Sequence, residues 1–108
     1  VNLQLLTDED VAGLTSWCEP FARMDHPAVS DWGNRAWRCC VDEARRRIDG
    51  GQVTDWPAPD SLPTEALVLI GQLLAGVHDA GSEYLAVWVE EFGETLVDLL
   101  LARANPGV

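Results

Sequence analysis

The chain has no lysine: all seven of its basic residues are arginines, set against 18 Asp and Glu, for a formal net charge of -11. A chain with a pI near 4.2 offers no positive surface for a phosphate backbone, so nucleic acid is not expected as a partner. The same charge disfavours anionic membranes. A long apolar run is missing too. Ala66 to Val77 is the longest uncharged apolar stretch, with 12 residues and Gln72 inside it, whereas a bilayer span needs about 20. The N-terminus carries no basic region followed by an apolar stretch, so no signal peptide is expected. Cysteine is scarce. Cys18, Cys39 and Cys40 are odd in number and two are adjacent, which argues against a disulfide scaffold and for a reducing, cytoplasmic setting.

Catalytic signatures are equally scarce. There is no C-x-x-C, H-x-x-x-H or H-E-x-x-H spacing, no glycine-rich phosphate loop and no nucleophile elbow. Cys18, Cys39, Cys40, His26 and His78 are the available soft ligands, and without metal-site spacing they read as small buried hydrophobes and helix-end histidines. No metal, cofactor or catalytic residue is assigned. An enzyme is neither named nor required by these residues, and they tie the chain to no known family.

What remains is a chain of one-domain size, 108 residues with 47% hydrophobic content, expected to fold as a single helical domain over residues 1–108. No segment sustains the period-two alternation of a strand, and apolar residues recur at helical spacing. The pattern predicts an all-α, irregular bundle of about four helices, near 8–18, 31–49, 62–79 and 82–104, with a proline-rich loop at 50–61. The first helix is announced by Thr7 as N-cap, Asp10 three residues on and Leu6 as a staple toward Val11. Pro20 should kink or stop it near Trp17 or Cys18. Ser30 or Asp31 can cap the second helix. Its apolar face is read as Gly33, Ala36, Trp37, Cys40, Val41, Ala44 and Ile48, and Arg38–Asp42, Asp42–Arg46 and Arg45–Asp49 are spaced to pair. The third helix is apolar around most of its circumference, with Glu65, Gln72, Gly76 and Asp79 on one stripe, and is expected at the centre of the fold. The fourth is capped by Ser82, turns Leu85, Trp88, Val89, Phe92, Leu96, Leu99 and Leu100 inward, and ends at Asn105-Pro106-Gly107.

Two features bear on function. The chain has five tryptophans. Trp37 and Trp88 sit on core faces. Trp17, Trp32 and Trp56, at helix ends and in the loop, suit either a core, a ligand pocket or a contact surface. Charge is also segregated: six of the seven arginines lie between Arg23 and Arg47, and no basic residue occurs from Ile48 to Ala102, where ten acids fall. On the fourth helix Val87 and Leu101 project among Glu90, Glu91, Glu94 and Asp98. Apolar residues rimmed by like charges suit docking onto a basic protein, as immunity, antitoxin or adaptor proteins dock, and Trp56, Val87, Glu90, Glu91, Glu94, Asp98 and Leu101 are the residues expected to do so. The alternatives are a small-molecule-binding or catalytic helical domain with a tryptophan-lined pocket, and a structural homodimer subunit built on the two apolar C-terminal helices.

Overall fold

The computed structural model describes residues 2–105, without the side chains of 79 and 80. The Asp79 end of the third helix's polar stripe and the Pro106-Gly107 stop signal lie outside the described residues. Among the described residues there are four helices and no strand: α1 (Asp8–Ala22), α2 (Pro27–Asp49), α3 (Thr64–Ala80) and α4 (Glu83–Ala104).

The helices form two antiparallel hairpins, α1 with α2 and α3 with α4. In the first, Asp8 at the start of α1 meets Arg47 at the end of α2, while Ala22 meets Ser30. The hairpin closes tightly at Gly33. A Cβ there would stand 2.5 Å from the Ala22 nitrogen and 2.6 Å from the Phe21 carbonyl carbon, so only glycine lets the backbones approach this closely. In the second, Gly71 lies beside Leu96, and Arg103 near the end of α4 donates to Thr64 Oγ1 (3.2 Å) and the Asp60 carbonyl (2.9 Å).

Helix ends follow local chemistry, with two corrections. At α1, Thr7 Oγ1 accepts from Asp10 N and Asp10 Oδ2 accepts from Thr7 N, both at 3.1 Å, completing the capping box. Three acids in the first turn complement the helix dipole. The helix does not stop at Trp17 or Cys18 but runs through Pro20 to Ala22. Pro20 removes one backbone bond so near the end that little helix remains to be broken. Neither Ser30 nor Asp31 caps α2. That helix starts at Pro27, whose fixed φ suits the first helical position, and Ser30 Oγ instead donates to the Ala22 carbonyl at 2.9 Å, satisfying the end of α1. Ser82 caps α4 as expected, accepting from Leu85 N at 3.2 Å.

The face of α2 is rotated from its expected position. Val29, Trp32, Gly33, Ala36, Cys39, Cys40 and Glu43 are buried, whereas Ala44 is exposed and Ile48 is 82% exposed. Val29, Trp32 and Cys39 bring apolar area to this face, and an ion pair lets a carboxylate lie on it. Glu43, only 3% exposed, receives Arg46 Nε and Nη2 at 2.9 and 2.8 Å and Arg47 Nε at 2.6 Å. Arg47 then donates to the carbonyls of Leu3 (3.0 Å) and Leu6 (2.6 Å) and to Asp8 Oδ1 (2.7 Å). Buried Leu3 and Leu6 are thereby fixed under the helix end. The three expected i,i+4 pairs do not form among the described residues: Arg46 turns to Glu43, and Asp42 accepts from Thr54 at 3.4 Å.

Nor is α3 central. It packs chiefly on α4, and Val68 and Leu73 remain 42% and 44% exposed. The centre is aromatic. Trp17 meets Phe21, Phe21 meets Trp32, and Trp32 stacks on Phe92 with centroids 6.1 Å apart and planes at 16°. Trp56, 7% exposed, wedges edge-on between Trp32 (5.8 Å) and Trp88 (4.9 Å). The Trp32 indole donates to the Pro57 carbonyl at 3.2 Å, holding the loop in place. A loop tryptophan thus joins the two hairpins.

Candidate functional site

Helical periodicity sets the face of α4. Leu85, Trp88, Val89, Phe92 and Leu96 are buried. The opposite face, about half a turn away, carries Val87, Glu90, Glu91, Glu94, Asp98 and Leu101, all exposed. Val87 is 55% exposed and Leu101 57%. Six of the seven expected contact residues therefore share one surface. Trp56 does not; it is part of the core. Val97, 53% exposed, borders the same stripe and is not among the expected residues. Its spacing carries the signal, since it lies seven residues after Glu90 and so near the same helix edge.

Three of the four carboxylates on this face are in no ion pair among the described residues. Four of the seven arginines turn elsewhere: Arg35 pairs with Asp31 at 3.1 Å, Arg46 and Arg47 serve Glu43, and Arg103 bonds the start of α3. Glu90 Oε1 lies 3.8 Å from His78 Nε2. Among the described residues, Glu91, Glu94 and Asp98 are in no ion pair. Carboxylates held at one to two turns of spacing along a rigid helix form a fixed row of negative charge.

The tryptophans do not converge on one cavity. Trp32, Trp56 and Trp88 pack on one another. Trp17 borders an open groove of about 430 Å³ between α1 and α3, floored by Leu14 and Leu85, and Trp37 borders a smaller one of about 240 Å³. The cysteines are all free, and exposed by 1% or less. Burial is the chief cause that pushes the Cys39 pKa up to about 12, and its thiol lies 3.4 Å from the Thr54 carbonyl. The Cys18 pKa is raised by its hydrogen bond to Cys40 and by burial. A thiol without solvent access and shifted this way is a packing group. Among the described residues no cluster of three or more His, Cys, Asp or Glu side chains is placed to hold a metal ion. No described helix is long and apolar enough to cross a membrane.

No protein-family model, curated protein or solved structure matches the chain.

Proposed function

We propose that this chain is a non-catalytic interaction protein whose α4 face docks onto a basic protein surface, in the manner of an immunity protein, antitoxin or adaptor. One observation carries the reading: Glu91, Glu94 and Asp98 are in no ion pair among the described residues and lie beside the exposed Val87 and Leu101. Covering such apolar groups is favourable by about 25 cal/mol per Å², while the surrounding charge speeds encounter with a basic partner and rejects an acidic one. The same charge repels phosphate, so nucleic acid is excluded from the role. It also opposes pairing of this face with its own copy, because an isologous contact would set carboxylates against carboxylates. A cytoplasmic setting belongs to the same proposal and is supported by three buried cysteines free of disulfides.

The test is co-purification of the tagged chain from its native host, repeated with Glu90, Glu91 and Glu94 changed to Lys. The unmodified chain is expected to retain a basic protein that the triple variant loses. Equal retention by both contradicts the proposal.

A further inference from the structure

The chain itself carries, on α2, two exposed arginines with an apolar edge at the spacing of the α4 acids, with Asp42 and Asp49 on the flank of the same stripe. On α2, Arg38 and Arg45 are exposed and, among the described residues, in no ion pair. Being seven residues apart, they lie nearly in line along the helix, about 10.5 Å from each other. Ile48, three residues beyond Arg45, is 82% exposed. It lines a mostly apolar groove of about 620 Å³ between α1 and α2, to which Val41 and Arg45 also contribute. On α4, Glu91 and Asp98 are likewise seven residues apart, and Leu101 lies three residues beyond Asp98. Arg38, Arg45 and Ile48 thus repeat the spacing of Glu91, Asp98 and Leu101 with opposite charge. Two helices laid side by side in the same direction would bring all three positions into register.

Resting on the reading of α4 given above, we propose that the α4 face of one copy docks in the α1–α2 groove of a second copy. Arg38 meets Glu91, Arg45 meets Asp98 and Ile48 meets Leu101. The net charge of -11 on each copy opposes association at long range. At about 0.15 M salt charges separated by more than about 8 Å are largely screened, so the pairs in direct contact decide. The two surfaces differ, so the contact is heterologous: it closes into a ring if the rotation allows and otherwise builds chains.

The test is sedimentation velocity of the full chain from micromolar to millimolar concentration in about 0.15 M salt, with two variants, R38E/R45E and E91R/D98R. All four residues are exposed, so both variants should keep the helical circular dichroism of the unmodified chain. The unmodified chain is expected to associate with rising concentration. Each variant alone should associate at least about tenfold more weakly. An equimolar mixture of the two should associate again, because the reversed α2 of one variant then faces the reversed α4 of the other, or native faces native. A monomer at every concentration, or a mixture that fails to associate, overturns the proposal. R38E/R45E leaves α4 intact and should still capture the basic partner. If it does so while the unmodified chain stays monomeric, self-docking fails and the α4 reading stands. If both variants capture that partner equally, the α4 reading fails.

Discussion

Ser82 donates twice to the carboxylate of Asp10, from its backbone nitrogen to Oδ1 at 3.1 Å and from its hydroxyl to Oδ2. Asp10 completes the cap of α1 and Ser82 caps α4, so one part-buried contact fastens the N-terminal ends of helices from different hairpins. Burial opposes ionisation of Asp10, but donors from Ser82 and Thr7 outweigh it and hold its pKa below the ordinary value. Ser82→Ala removes the α4 cap and one donor to a buried carboxylate. A loss of about 1–3 kcal/mol is expected, read as a lower midpoint in urea. An unchanged midpoint would show that the contact contributes nothing.

Glu43 supplies a pH signature. Its pKa is held down first by the Arg46 hydrogen bond, against burial, with Arg47 adding. Glu43→Gln is expected to cost about 1–3 kcal/mol at neutral pH, less than for a fully buried pair because both arginines keep contact with solvent. The charge-dependent stabilisation is complete above the unfolded value of about 4.3. It is lost as pH falls through the lowered folded value. The gap in thermal midpoint between the native chain and E43Q should therefore hold from neutrality to about pH 5 and narrow below it. A gap that widens in acid would be inconsistent with this pairing.

Gly33 tests the closeness of α1 and α2. A methyl group there meets backbone atoms of Phe21 and Ala22 rather than a flexible side chain. Gly33→Ala is expected to destabilise by about 1–3 kcal/mol, despite alanine's better helix propensity. A stabilised variant would mean the helices sit farther apart.

Trp56 separates core from contact surface. If it joins the hairpins, Trp56→Ala costs about 3–5 kcal/mol and Trp56→Phe much less. Chemical denaturation of the two variants decides. A Trp56→Ala chain as stable as the native one would return this residue to the surface.

These expectations show where the sequence was informative. Thr7, Asp10 and Ser82 act within one turn of their own helices, so capping was legible from their order. The α4 faces followed from strict periodicity. The face of α2 did not, because its apolar stripe is wider than the seam it packs into. On the face that is buried, Glu43 holds Arg47 against Leu3 and Leu6, far away in sequence. Trp56 was equally opaque: a proline-flanked loop tryptophan shows no period, and only the tertiary fold sets it between Trp32 and Trp88. The apolar character of α3 suggested full coverage, yet Val68 and Leu73 stay exposed because α4 covers mainly one side.

The most direct test of the acidic face is calorimetric titration with the basic protein recovered by co-purification. The native chain is compared with E91K/E94K/D98K at low and moderate salt. The prediction is a loss of at least about a hundredfold in affinity on charge reversal, and binding to the native chain that weakens as salt rises. Equal affinity for both chains, with no salt dependence, would contradict a docking role for α4.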